Sequence, residues 1–332
     1  MTKPHALLRA AYPYYGTLGM RRVTTSPADV LALKNGKIFV LNRTDGAGGE
    51  IRRTNWDDED NDTIGSGFEW PVQLIEGPDD SIIVSDEGNH TISFWTHEGE
   101  KLNSWGVQGS GDGEFDRPSG IVLDADGNLL VADTMNHRIQ KYTIGGTFIS
   151  SFGEHGDGDG QFNMPWGVAV DPYDGATVVS DWRNDRVQRF TADGEYVLQF
   201  GSSGIGRGEM CRPAGVAIDK HGDVYVADRG NHRIQLFGEG GNFVDVFEGN
   251  AGLSKSGRIY VTANPKVLRS RELIDLVDER KLRGPASVRV FDDLMYIPDA
   301  GSHRIQVYQK EAYELNEDQI YEAPSAPSLY TV

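Results

Sequence analysis

The sequence predicts an all-β protein, a six-bladed β-propeller with a short helical insertion on its top face. Three observations carry the prediction. A unit of short strands is written five times clearly and once in worn form, its strands are separated by Gly and Asp turn chemistry, and one interval between copies is far longer than the rest. Strand units repeated at a fixed period cannot bury their faces alone, so they stack around an axis.

The clearest copy reads Pro213-Ala214-Gly215-Val216-Ala217-Ile218-Asp219, then Gly222-Asp223-Val224-Tyr225-Val226-Ala227-Asp228, then Asn231-His232-Arg233-Ile234-Gln235-Leu236-Phe237. Its closing Asp recurs at Asp86, Asp133, Asp181, Asp228 and Asp299, at intervals of 47, 48, 47 and 71 residues. The opening Pro recurs with it at Pro71, Pro118, Pro165, Pro213 and Pro285, and a sixth copy starts at Pro27 with Asn42 in place of the Asp. β-Branched runs such as Val224-Tyr225-Val226 and the period-two stretch 233–237 read as strands. A fourth strand follows a Gly turn, as in Gly146-Thr147-Phe148-Ile149-Ser150-Ser151-Phe152-Gly153.

In chain order, residues 1–14 are an arm, 15–309 the propeller and 310–332 a tail. Residues 16–23 fall where a closing strand belongs, and the last copy supplies three obvious strands, so the N-terminal strand is expected to complete the last blade. This closure removes exposed sheet edges; closure by the tail, residues 311–332, is the alternative. The long interval holds an insertion at about 250–283. There a short strand is expected at 258–262 and a helix over 266–282, with Asn264 as N-cap and Pro265 in the first turn. Val267, Ile274 and Val277 share one face of that helix, with Leu273 and Leu276 beside it. A decayed seventh repeat over 252–262 is the other reading. The loop between blades opens on the same face as the loop after the signature Asp, so the helix is expected over the top face, as a lid or as padding on the rim.

The motifs Pro-x-Gly-Val-Ala-Val-Asp and Val-Ala-Asp-x-x-Asn-His-Arg-Ile-Gln, with a closing Phe-Gly, resemble NHL repeats. Asn136-His137-Arg138-Ile139-Gln140, Asn231-His232-Arg233-Ile234-Gln235 and Ser302-His303-Arg304-Ile305-Gln306 carry the resemblance in register. It covers residues 15–309 and implies a six-bladed propeller, while leaving function open. The same family includes the zinc-dependent peptidyl-hydroxyglycine amidating lyase, whose zinc is held by His directly after the opening Pro. Here those places hold Ala28, Val72, Ser119, Trp166, Ala214 and Ala286. That resemblance therefore implies no zinc site, and the expectation is of no metal and no cofactor.

Composition narrows the partners. The formal net charge is −18 and the pI about 4.8, which argues against nucleic acid, since that affinity rests on Lys and Arg at phosphates. No apolar run of about 18 residues exists, so no membrane span is expected. The N-terminal stretch is broken by Arg9 and does not read as a secretory signal. The single cysteine, Cys211, suits a reducing compartment, so a cytoplasmic chain is expected. The acidic run 57–62 lacks the alternation of a calcium loop and reads as a solvated hairpin tip.

The repeats supply a control for function. Positions where all copies agree serve the blade, which makes the signature Asp and His90, His137, His232 and His303 structural. Top-face positions that differ between copies are the candidates for a site. These include Trp166 after an opening Pro, Asp29 and Gln73 one residue further, and Arg43, Glu87, Thr134, Trp182 and Arg229 after the signature position, with Arg183 beside them. Two indoles offer an apolar wall and Arg can hold an oxyanion. Glu87 or Asp29, if desolvated, has a raised pKa suited to acid–base work, and His155 in an inter-blade loop is a further base. The expectation is a top-face central pocket for a small organic molecule, serving a metal-independent lyase, hydrolase or cyclising enzyme. The alternative is a non-catalytic scaffold that docks a protein or peptide.

Overall fold

The computed structural model describes residues 6–19, 23–44, 48–59, 61–273 and 275–321. Six four-stranded antiparallel sheets surround one axis. Blade 1 runs through strands Pro27–Ala32, Ile38–Thr44, Gly48–Thr54 and Asp62–Phe68, from the axis outward. Blades 2 to 5 begin at strands Pro71–Glu76, Pro118–Leu123, Pro165–Val170 and Pro213–Ile218. Blade 6 takes Arg289–Phe291, Leu294–Asp299 and Arg304–Gln309 from the C-terminal side. Its outer strand is Tyr14–Leu18, paired antiparallel to Arg304–Gln309. The N-terminal strand thus closes the ring, and the tail does not. The tail strand Glu311–Leu315 instead pairs with Ala6–Ala11 of the arm. Residues 1–5, 20–22 and 322–332 lie outside the described residues, as do Asp60 of the acidic run and Ile274 of the expected helical face.

The repeated residues explain why the blades stack. Fully buried Asp133 accepts hydrogen bonds from Asp116 N–H, Asn136 Nδ2, Arg138 Nε and Gln140 Nε2 at 2.7–2.9 Å, which ties the preceding loop to the blade. The histidine after it takes a left-handed conformation, and its Nδ1 accepts from the next blade. His90 receives Arg117 N–H at 3.1 Å, His137 receives Met164 N–H at 3.1 Å, and His232 receives Gly284 N–H at 2.8 Å. At the seam between blades 6 and 1, His303 Nδ1 donates to Thr25 O. Closing aromatic rings wedge between blades, with Phe152 4.9 Å from Phe190 and Phe200 4.8 Å from Phe237. Such rings each bury a large apolar area.

Near the axis of blades 3 to 5 the innermost strands approach so closely that only glycine fits at one place. A Cβ on Gly167 would lie 2.5 Å from Ala214 O, and one on Gly120 2.4 Å from Trp166 O. Hydroxyls staple the same seam: Ser119 Oγ donates to Trp166 O at 2.8 Å and Ser85 Oγ to Ser119 O at 2.5 Å.

The insertion departs from expectation in two places. Residues 258–262 are not a strand but part of α1 (Lys255–Thr262), whose start Ser254 caps by accepting Gly257 N–H at 3.2 Å. The β-branched run misleads there because burial follows helical spacing, with Gly257 and Val261 inward and Ile259 exposed. The long helix is divided into α2 (Pro265–Glu272) and α3 (Val277–Arg280). Its expected apolar face is not buried, since Leu273 is 80% and Val277 59% exposed. Asn264 holds the N-cap position of α2 without a side-chain cap bond.

The insertion lies on the top face, toward the rim. Asp278, Lys281 and Leu282 border a side cavity with Asn231, His232 and Arg233. Asp57 and Asp58 of the acidic hairpin anchor α1 through Lys255 Nζ at 2.5 Å and Ser256 N–H at 3.0 Å. Those acids therefore serve as a brace as well as a hairpin tip.

Candidate active site at the axial mouth

Two loop positions per blade shape the mouth of the top face. One is the residue after the signature Asp, the other the residue before the opening Pro. The second set holds Ser26, Trp70, Arg117, Met164, Arg212 and Gly284, and it varies between copies as much as the first. The same comparison between copies would have found it. Arg117 and Arg212 have φ of 58° and 52°, a left-handed conformation that costs a non-glycine residue on the order of 1 kcal/mol.

Glu87 is the acid of this mouth. It is 6% exposed, its N–H donates to Trp70 O at 3.0 Å, and its Oε1 has no hydrogen-bond partner among the described residues. Burial pushes its pKa up to about 7, while the charges of Arg43 and Arg117 oppose the rise without cancelling it. A carboxyl so poised exchanges a proton near neutral pH.

Six arginines stand at this mouth, and the charges of Arg43, Arg117 and Arg229 act on Glu87 itself. Arg43 donates through Nε to Pro71 O at 2.8 Å and lies over Trp70, 4.9 Å from the ring centre. Burial lowers its pKa to about 10, and the charge of Arg229 pushes the same way. Arg229 is likewise lowered, first by burial and then by Arg212. Arg183 and Arg212 each lie 5.3 Å from the ring centre of Trp182. Arg283, from the end of the insertion, borders the same cavity of about 570 Å³ as Trp182, Arg212 and Arg229. Among the described residues, the guanidiniums of Arg117, Arg183, Arg212, Arg229 and Arg283 form no hydrogen bond or ion pair. Elsewhere blade arginines are paired, as Arg138 with Asp133, Arg186 with Asp181 and Arg233 with Asp228.

Several expected site residues have other duties. Asp29 is completely buried, bound by Arg289 at 2.8 Å and by Leu74 N–H at 3.1 Å, so its carboxylate belongs to the seam between blades. Gln73 Oε1 accepts Ile121 N–H at 2.9 Å, and Thr134 Oγ1 donates to Pro165 O at 2.8 Å. Asp29 and Gln73 occupy the place that is glycine in blades 3 to 5, where a side chain must reach into the neighbouring strand. His155 is exposed, edge-on to His137 with ring centres 4.4 Å apart, and it does not border the cavities that contain Glu87 or Trp182. Trp166 packs on the core between blades 5 and 6 and supports Trp182 at 5.7 Å. The indoles therefore orient guanidiniums more than they offer an apolar wall. One carboxylate cluster of metal-binding size, Asp171, Asp174 and Glu239, encloses the guanidinium of Arg189, at 2.8 Å from both Asp171 and Asp174.

The strain at Arg212 gives a direct test of what that residue is for. Arg212→Gly relieves the left-handed backbone and keeps the N–H bond to Asp185. The expected result is a gain of about 0.5–1 kcal/mol in a denaturant melt together with weaker anion binding. A loss of stability would mean that Arg212 holds the blades together.

The comparisons with known proteins fit this architecture. The NHL repeat pattern matches residues 115–142 and 210–237. No curated protein sequence matches the chain. Among solved structures it is similar to virginiamycin B lyase from Staphylococcus aureus, with TM-score 0.58, 14% identity, 90% of this chain and 99% of that one covered. A gluconolactonase from Xanthomonas campestris is similar over 93% of this chain and 99% of its own, with TM-score 0.60 and 10% identity. At such identities the likeness concerns the fold. The repeat matches and the six stapled blades together make the chain a six-bladed β-propeller that carries NHL repeats.

Proposed function

We propose that the axial mouth takes a small organic anion and that Glu87 moves a proton on it, in a lyase, hydrolase or cyclising reaction. One observation carries this reading: five guanidiniums without an acidic partner among the described residues gather at one mouth of a chain with net charge −18, and the same mouth holds a buried carboxyl with a free oxygen. As a base, Glu87 takes a proton from a carbon beside a carbonyl or carboxylate. Neighbouring guanidiniums stabilise the oxyanion that forms. In the elimination form the C–H electrons become the new double bond, the bond to the β-substituent breaks, and Glu87 returns its proton to the leaving group. Similarity in fold to a lyase and a lactonase supports the class and gives no substrate.

The uncovered mouth and the 49% exposure of Trp70 favour a second reading, an acidic peptide or protein docked on the face. We also place the chain in the cytosol, with no nucleic-acid or membrane partner. The acidic charge and single cysteine support this, and no helix among the described residues is long and apolar enough to cross a membrane.

The test is a panel of small organic anions screened by thermal melting and tryptophan fluorescence, with hits followed by NMR for turnover. Stabilisation by a small anion, with turnover lost in Glu87→Gln, is the expected result. Stabilisation by acidic peptides alone would replace the enzyme reading with the scaffold.

A further inference from the structure

The mouth is electrically lopsided. On the side of blade 2, Glu69 and Glu87 share a cavity of about 430 Å³ with Arg117. On the side of blades 4 to 6, the cavity of about 570 Å³ is bordered by Arg212, Arg229 and Arg283, and no acidic residue borders it among the described residues. Arg212 is held over Trp182, and Arg229 is sunk near it, so like charges are fixed beside one another. Guanidiniums gathered this way repel, and an anion that binds the folded state relieves the repulsion.

One carboxylate does not match this side. Three guanidiniums present fifteen N–H donors, against about four lone-pair sites and one negative charge on a carboxylate. A phosphoryl group offers three strong acceptor oxygens and a charge near −2 at neutral pH. It also suits the fork geometry of Arg.

We infer that Arg212, Arg229 and Arg283 form a phosphate subsite, and that the ligand is an organic phosphomonoester anchored there with its reacting carbon toward Glu87. This rests on the reading of the mouth as an anion pocket. The two sides then divide the work, binding at blades 4 to 6 and proton transfer at blade 2. No phosphorus bond need break, because phosphate is the handle and the chemistry lies across the axis.

Calorimetry and thermal melts at constant ionic strength and pH 8 test this, using inorganic phosphate and acetate on the wild type, Arg212→Gln, Arg229→Gln and Arg258→Gln. Arg258 lies on the insertion and serves as a charge control. Phosphate is expected to raise the melting temperature and to bind about tenfold more tightly than acetate. Arg212→Gln and Arg229→Gln should each weaken phosphate by about tenfold, and Arg258→Gln should leave it unchanged. If acetate binds as well as phosphate and Arg212→Gln weakens both, the phosphate subsite falls while the anion pocket stands. If neither ion binds, both readings fall. Phosphate binding indifferent to Arg212 and Arg229 would place the ion elsewhere and overturn the subsite.

Discussion

Glu87→Gln is expected to remove turnover, by about 10²–10⁴-fold, while making the protein more stable above pH 7. The sign follows from the raised pKa. In the native state the carboxyl titrates near 7, whereas the unfolded chain has the ordinary value near 4.5. Between those pH values the folded protein holds a proton that the unfolded chain has lost. Wild-type stability therefore falls as pH rises through this window and stays low above it. A difference of this size corresponds to at most about 3 kcal/mol. Glutamine has no charge to bury, so its advantage should grow from near zero below pH 4.5 to about 1–3 kcal/mol at pH 8. Urea melts at several pH values measure it. A variant less stable than wild type at pH 8 would show that pairing with Arg43 and Arg117 outweighs burial, and Glu87 would then be a structural anion.

Arg289→Met is expected to be the most damaging single change in the seam. It leaves Asp29, completely buried, with Leu74 N–H as its remaining hydrogen-bond donor among the described residues. Removing one partner of a buried pair strands the other charge and costs about 3–5 kcal/mol. The measurement is the denaturant midpoint, compared with the double variant Asp29→Leu, Arg289→Met, which removes both charges and should recover much of the loss. If the single variant loses less than about 1 kcal/mol, Asp29 is solvated or paired elsewhere, and its place near the mouth would need to be reconsidered.

These two carboxylates look alike in the sequence. Both stand at top-face positions that vary between copies, and either could serve as the acid–base group if desolvated. They differ because Asp29 sits on an innermost strand, where neighbouring blades touch and the side chain is drawn into the next blade. Glu87 sits one loop higher, where its backbone is fixed but its Oε1 is left free. Arg117 and Arg212 were missed for a related reason. They precede the opening Pro, outside the strands that carry the repeat signature, and both take a left-handed backbone there.

The sequence by itself determined the blade. Repeated Pro, Asp, His, Arg and Gln at fixed spacing specify strands, turns and the hydrogen bonds that staple one copy to the next, because each copy repeats the same local chemistry. It also showed that the last copy lacks its fourth strand and left two candidates to supply it; the pairing of Tyr14–Leu18 with Arg304–Gln309 decided for the N-terminal strand over the tail. The tertiary structure alone decided the site. Which variable residues meet depends on how far apart six loops stand across the axis and which side chains the seams consume, and neither distance nor occupancy is a property of a repeat. The insertion shows the same division: the run at 258–262 is helix because Ser254 caps it, a local signal upstream of the β-branched residues, and because Val261 finds a buried face, which packing alone decides.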